Sequence, residues 1–346
     1  MNAPIPDITA VVEATSFADA VTQTHSLLAR SPRRIRLVHV PSGDRLMDAA
    51  HGAAIHGFGR SLRIELRGTV DVSMAPARFV APSAPAAPRK TPEARRCVIT
   101  GAASGIGRAM ALEFARGGWI VNGVDIDADA TARTLTELHE IGSPASLRLA
   151  DLRTLESLPC TAERPADLVI HNAGISQVGP FASAPLDEAL KVVALNLEAP
   201  IRLTNALLTS GGLAPGGSVV FVSSLSHFVG YPGASVYAGT KDGLAAYAEA
   251  LRSTRPRDEL SVLTVFPGPV RTDHARRYSP DNSAEHRRMA PAAVARLTRE
   301  ALAAGRDQLI PGASNQLMAW IGRRFPGVAE GLMERAVYRR LSAATQ

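Results

Sequence analysis

Cysteine is nearly missing from this chain. Cys97 and Cys160 are the two in 346 residues, too few for a disulfide framework and in no zinc-binding spacing. Cys97 lies in an apolar run and reads as core. Aromatic side chains are sparse at 5%, and no tyrosine precedes Tyr231. No apolar run approaches the roughly 18 residues that a spanning helix needs. Met1-Asn2-Ala3-Pro4 does not open a basic stretch followed by an apolar one, so no leader is evident and a cytoplasmic location is expected. The formal charge is +6 and the pI about 9.8, yet no block of Lys and Arg stands out. The excess is spread as a solvated surface would be, and nucleic acid is not an expected partner. The G-x-G-x-x-G of the two-domain dehydrogenases is absent as well.

Present instead is the composition of a soluble globular protein, 46% hydrophobic and 20% charged. The length allows one large domain and a small one beside it. Residues 1–75 read as a small α/β piece, with a helix over 17–30 capped by Ser16, a strand at 35–40, a helix over 46–66 and a strand at 70–74. Residues 76–95 turn to Ala and Pro, a semi-extended linker. From Arg96 strands alternate with helices, which is the pattern of a doubly wound parallel sheet. Strands are expected at 97–100, 120–124, 147–149, 167–170, 219–222, 262–266 and 308–310. This domain runs over 96–312, and 313–346 forms a C-terminal tail.

The first strand of that domain runs into Gly101-Ala102-Ala103-Ser104-Gly105-Ile106-Gly107 and then a helix over 108–116. Glycines allow positive φ and close backbone approach, and the free N–H groups of a helix start attract an anion. This order makes a pyrophosphate cradle. Asp125, twenty residues past Gly105 at the end of the next strand, is placed to accept hydrogen bonds from an adenosine ribose. The same charge repels a 2′-phosphate, and Ser104 offers no cation for one, so NAD is favoured over NADP.

Tyr237 and Lys241 are four residues apart, hence on one face if the stretch is helical. A tyrosine with a pKa of about 10 needs a shift of about 3 units to work near neutrality, roughly 4 kcal/mol. A cation about 4 Å away supplies that only at an effective dielectric near 20. The pair is therefore a proton-transfer device inside a desolvated cleft, and an ordinary surface pair outside one.

Together these motifs resemble the short-chain dehydrogenase/reductase family over about 95–312. The carriers are Thr100-Gly101-x-x-x-Gly105-x-Gly107, Asn172-Ala173-Gly174, Asn196 in Ala194-Leu195-Asn196-Leu197, Ser224, Tyr237-x-x-x-Lys241 and Pro267-Gly268-Pro269-Val270-Arg271-Thr272. The resemblance implies a Rossmann-like fold and hydride transfer. It implies a catalytic set in which Ser224 holds the substrate oxygen and Tyr237 passes the proton. Lys241 lowers the Tyr237 pKa and binds the nicotinamide ribose, and Asn196 holds a water. It places Gly101, Ser104, Gly105, Ile106 and Gly107 at the pyrophosphate, Asp125 at the ribose and Asp151-Leu152 at the adenine. Asn172, Ala173, Gly174, Pro267, Gly268, Val270 and Thr272 line the cofactor. His171 stands where the family usually has a first Asn, and reads as a satisfied strand-end residue.

Three functions compete on this sequence. One is an NAD(H)-dependent oxidoreductase of a fairly apolar secondary alcohol or ketone. Another is an NADPH ketoreductase on acyl thioesters, with a carrier-bound substrate. The third is a non-catalytic nucleotide-binding protein, which the complete Asn196/Ser224/Tyr237/Lys241 set disfavours. No metal site is expected, and a homo-oligomer, dimer or tetramer, is. Arg276, Arg277, Arg287 and Arg288 lie in a stretch that the family uses as a substrate lid, and a solvated basic loop is the plainer reading. The tail places apolar residues near helical spacing among arginines over 316–341, and is expected to dock on the enzyme rather than on a membrane surface. Finally, residues 57–66 echo the helix after the catalytic lysine. Matching Leu62-Arg63 to Leu251-Arg252 sets Asp48 against Tyr237 and Gly52 against Lys241. With no tyrosine, this half-repeat cannot perform the same chemistry; it is expected to pack against the catalytic domain where a second subunit's helices would dock.

Overall fold

The computed structural model describes residues 9–30, 32, 34–66, 70–74, 94–279 and 281–338. Two parallel sheets organise them. The smaller contains β1 (Thr9–Ala14), β2 (Arg34–His39) and β3 (Asp71–Met74), side by side in that order. The larger contains β4 (Arg96–Thr100), β5 (Ile120–Asp125), β6 (Ser146–Leu149), β7 (Ala166–His171), β8 (Leu213–Val222), β9 (Leu260–Val265) and β10 (Gln308–Leu309). Its spatial order is β10-β9-β8-β7-β4-β5-β6, with every neighbour pair parallel. Its central strands are continuous apolar runs because both faces are covered: Cys97, Val98, Ile99, Val219, Val220 and Phe221 are all fully buried. The chain steps outward from β4 to β6, then returns to the other side of β4 with β7. That reversal opens a crevice at the carboxyl ends of β4 and β7, where ligands bind in such sheets.

The helices are α1 (Phe17–Leu28), α2 (Arg45–Glu65), α3 (Gly105–Arg116), α4 (Ala128–Glu140), α5 (Leu186–Val193), α6 (Ala199–Thr209), α7 (Ser226–Val229), α8 (Ser235–Thr254), α9 (Asp273–Tyr278), α10 (Pro291–Ala303), α11 (Ala313–Arg324) and α12 (Pro326–Met333). Their starts follow local chemistry. Ser16, Asp44, Asp127 and Thr272 each accept a backbone N–H of the first turn of α1, α2, α4 and α9. Between α5 and α6 a π-helical turn spans Ala194–Glu198 and carries Asn196, a wide turn of the kind that often marks a functional site.

The small sheet does not stand apart. Helix α2 lies against α8, and the backbones approach so closely that only glycine fits on α8. A Cβ on Gly239 would sit 2.7 Å from the Ala54 carbonyl oxygen, and one on Gly243 would sit 2.7 Å from that of Ala50. In the sequence match of α2 with α8, Ala50 corresponds to Gly239 and Ala54 to Gly243. The two contacts therefore exchange with one another, as across a two-fold axis. Arg60 then donates to Asp242 at 2.7 Å, and His227 Nδ1 lies 3.0 Å from the same carboxylate. Phe17, Phe58 and Phe181 continue the seam edge to face.

Strand β1 was not anticipated, since Thr9–Ala14 is short and follows a proline-rich start. Helix α3 begins at Gly105, three residues before its expected start at 108. The Ala/Pro linker lies outside the described residues except for its last two positions. The tail is helical, in two helices broken at Phe325-Pro326, because proline removes a backbone donor. The tail docks on the enzyme: Ala319 and Ala329 are buried with Phe228, Val229 and Phe266. Its outer side leaves Leu317, Trp320, Phe325, Val328 and Leu332 exposed. No helix among the described residues is long and apolar enough to cross a membrane. His171 is buried, stacks on Phe221 and meets the Thr204 hydroxyl at 3.0 Å. Burial pushes its pKa down to about 3.

Candidate active site

The glycine loop leaves the end of β4 and enters α3. Gly101 and Gly105 have φ of 66° and 51°, a region that other residues adopt at a cost. A Cβ on Gly107 would lie 1.9 Å from the Gly101 carbonyl oxygen, so that position admits no side chain. Ser104 precedes α3 without capping it, which leaves the first amides of the helix free to meet an anion. Ile106 packs on the core beneath the loop. Asn172 Nδ2 donates to the carbonyls of Thr100 and Gly101 at 3.1 and 3.2 Å, and the amides of Asn172 and Ala173 donate to the Thr100 hydroxyl. These bonds hold the loop open. Thr272 stands over the loop, its methyl 3.2 Å from where a Cβ on Gly105 would be.

Asp125 ends β5 as expected. Its carboxylate accepts the Ala103 amide at 2.9 Å and the amides of Ile126 and Asp127, which ties it to the glycine loop. Asp151 neighbours it, since the Ala150 amide bonds the Asp125 carbonyl. Asp151 is held in a fork by Arg153, which keeps its carboxyl below the usual range, and Leu152 beside it is buried. On the far side, the Pro267 carbonyl accepts the Leu225 amide, Val270 is buried and bridges Met289, and Gly268 faces Asn315 too closely for a Cβ. The cradle, the free helix start and the carboxylate at its edge fit a dinucleotide.

Above this floor the expected catalytic set converges. Tyr237 and Lys241 lie in the first two turns of α8, with the Lys241 Nζ 5.7 Å from the Tyr237 ring centre. A Cβ on Gly174 would sit 3.2 Å from Asn196 Oδ1 and 3.3 Å from Lys241 Nζ, so Gly174, Asn196 and Lys241 share one small space. Asn196 is fully buried. Its Oδ1 accepts the Ile175 amide at 2.9 Å, and its Nδ2 donates to the Ile175 carbonyl at 2.8 Å and the Thr240 hydroxyl at 3.2 Å. Ser224 accepts the Ser226 amide and hydrogen-bonds the Tyr237 phenol.

The Lys241 ammonium donates to the Val222 carbonyl at 3.0 Å, and burial lowers its pKa to about 8. The phenol is pushed up to about 12 by loss of solvent, with the Ser224 bond opposing. Burial thus favours the neutral phenol of Tyr237.

Three groups near Tyr237 escaped notice in the sequence. The Tyr231 ring lies 6.3 Å from the Tyr237 ring and His274 6.2 Å, while Tyr278 lies 4.8 Å from His274. They form an aromatic rim brought together by the turn before α8 and the two ends of α9. Two arginines of the basic stretch are tied to their own segment: Arg276 pairs with Glu285, and Arg288 donates to Ser279, Asp281 and Asn282. Cys97 is fully buried and Cys160 half-buried, and burial raises both thiols, the latter to about 11. No cluster of three metal-ligating side chains occurs among the described residues.

The short chain dehydrogenase family model matches residues 95–283. The chain belongs to that family. Probable oxidoreductase EphD of Mycobacterium tuberculosis is 32% identical over 184 residues, which cover 51% of this chain and 31% of that protein. The chain therefore spans about a third of the length of that relative. The 3-oxoacyl-acyl-carrier-protein reductase FabG of Pseudomonas aeruginosa is 30% identical over 185 residues, 52% of this chain and 75% of that protein. Among solved structures, a variant of actinorhodin polyketide ketoreductase with NADPH is similar at a TM-score of 0.55 and 27% identity, covering 63% of this chain and 95% of that one.

Proposed function

We propose that this short-chain dehydrogenase is an NAD(H)-dependent oxidoreductase of a secondary alcohol or its ketone. The observation that carries the reading is the convergence of Asn196, Ser224, Tyr237 and Lys241 over the glycine loop. When bound, the nicotinamide supplies or accepts the hydride. Ser224 hydrogen-bonds the substrate oxygen, where negative charge develops in reduction. Tyr237 gives its phenolic proton to that oxygen in reduction and takes it back in oxidation. Lys241, at a pKa of about 8, is largely cationic near neutrality and stabilises the phenolate formed when Tyr237 gives up its proton. Asn196 holds the Ile175 backbone and Thr240, and so fixes the space in which Lys241 moves. The rim of Tyr231, His274 and Tyr278 favours a substrate with an apolar body.

Asp125 supports NAD over NADP, because a carboxylate at the ribose repels a 2′-phosphate. The second reading, an NADPH ketoreductase on acyl thioesters, draws support from the similarity to FabG and to the actinorhodin ketoreductase. Titration of the protein with NADH and NADPH separates the two. Tighter NADH binding, with the preference relaxed in Asp125→Ala, supports the first reading; tighter NADPH binding in the wild-type protein would overturn it.

The N-terminal piece is a degenerate half-repeat of the catalytic domain. Its three parallel strands lie in chain order, as β7, β8 and β9 do, and α2 meets α8 through contacts that exchange under the sequence match. It covers the outer face of α8, so any homo-oligomer must assemble through another surface.

A further inference from the structure

Helix α8 carries both Tyr237 and Lys241, yet it lacks a capping side chain of its own. Its N-cap is Ala234, a residue that leaves the first N–H groups of a helix unsatisfied. The missing acceptor comes from the far end of α2. Glu65 is buried, and its Oε1 accepts the Gly233 amide at 3.0 Å. Ser235, the first residue of α8, adds hydrogen bonds from its amide and its hydroxyl to the same carboxylate. The other oxygen, Oε2, accepts the Phe181 amide at 3.0 Å, from the segment that follows Asn172-Ala173-Gly174 along the cleft. One carboxylate thus joins two walls of the cleft to each other and to the start of the catalytic helix.

The rest of α2 works on the same segment. Ser61 Oγ accepts the Tyr231 amide at 3.1 Å, and Arg60 donates to the carbonyls of Ser226 and His227. The chain from α7 to Tyr237 is therefore held at Ser226, His227, Tyr231, Gly233 and Ser235 by residues of the N-terminal piece. The tail adds a contact from the other side, where the Tyr338 hydroxyl donates to the Glu65 backbone carbonyl at 2.9 Å.

We infer that Glu65 is a positioning residue for the reaction: it caps α8 from the N-terminal half-repeat and thereby fixes Tyr237 over the cofactor floor. The inference rests on the oxidoreductase reading for its kinetic consequence, but not for its structural one. The half-repeat, without a tyrosine of its own, is then part of the working site rather than an appendage.

The test uses the full-length protein. In Glu65→Ala, hydrogen exchange followed by mass spectrometry is expected to speed up at least about tenfold in peptides covering 231–240, since the cap is lost at a helix end. Peptides from β4 and β7 serve as the unchanged reference. Turnover should fall about 100-fold, the scale of a misplaced catalytic group, while the dissociation constant of NADH stays within about threefold. Glu65→Gln is the same size and guards against a misfolded Ala variant. Its amide nitrogen must face one of the donor groups, so it should fall between wild type and Ala. A local cap, Ala234→Ser in the Glu65→Ala background, should restore part of the turnover, which a residue that merely glued two domains together would not allow. Unchanged exchange over 231–240 in both Glu65 variants overturns the inference, and so does faster exchange with wild-type turnover. The exchange readout needs no substrate, so it stands apart from failure of the oxidoreductase reading, which an inert wild-type protein and an intact Glu65 effect on exchange would together reveal.

Discussion

Replacing Gly239 and Gly243 by alanine probes the docking of α2 on α8. In an isolated helix each change is favourable, because alanine exceeds glycine in helix propensity by about 0.8–1 kcal/mol. Here the added methyls point into α2. One at Gly239 would lie 2.6 Å from Phe17 Cζ and 2.7 Å from the Ala54 carbonyl, and one at Gly243 would lie 2.7 Å from the Ala50 carbonyl and 2.9 Å from Ala54 Cβ. A carbonyl in a helix cannot rotate away. To restore an ordinary 3.4 Å contact, α2 must retreat by about 0.7 Å, which loosens the packing of Phe58 and Ala54. Overpacking of this kind costs about 1–3 kcal/mol. After the propensity gain, each single variant should lose about 1 kcal/mol. The double variant should lose about 1 kcal/mol, less than the sum of the two, since one retreat relieves both clashes. The assay is equilibrium unfolding in urea, with Gly331→Ala in α12 as a control; nothing lies within 4 Å of its added Cβ, so it should be neutral or slightly stabilising. A double variant more stable than wild type by the propensity gain would refute the close approach of the two helices.

Two further outcomes follow from single residues. His171→Asn should flatten the dependence of stability on pH. The folded protein holds His171 neutral, with a pKa of about 3 against 6.5 unfolded, so the unfolded chain binds more protons as pH falls below 6.5. Stability is complete above 6.5 and drains as pH drops toward 3, by about 3 kcal/mol on reaching pH 4. Urea melts at neutral pH and at about pH 4 should show that much less loss in the Asn variant, and an unchanged loss would argue against a buried neutral His171. Asp125→Ala should weaken NADH binding about tenfold, the scale of losing hydrogen bonds to a charged acceptor. NADPH binding should hold or improve, and equal losses for both nucleotides would mean that Asp125 shapes the loop without selecting the ribose.

Much of the catalytic domain was legible in the sequence, because its signals are local. Cys97–Thr100 is a short apolar strand, the glycines follow it at once, and Tyr237 and Lys241 declare a helix face by spacing alone. Thr100 and Asn172 could be linked to the glycine loop only through the resemblance, yet the structure gives their hydrogen bonds a direct reason. What escaped notice depends on distance along the chain. Glu65 meets Gly233 across 168 residues, and nothing in the residues around Glu65 marks it as a buried acceptor. The aromatic rim draws Tyr231 and His274 from separate segments. The depth at which Tyr237 and Lys241 lie, and the hold of the Val222 carbonyl on the ammonium, depend on neighbours that the four-residue spacing does not name.

The central claim is that Tyr237 exchanges the proton in a nicotinamide-dependent redox reaction. Its most direct test is the rate of appearance or loss of reduced nicotinamide with a panel of secondary alcohols and ketones, in wild type and Tyr237→Phe, beside NADH binding to both. Turnover by the wild type, its loss by at least about 100-fold in the variant, the scale of general acid–base catalysis, and equal NADH affinity is the result predicted. A Tyr237→Phe protein that turns over as fast as wild type would contradict the account.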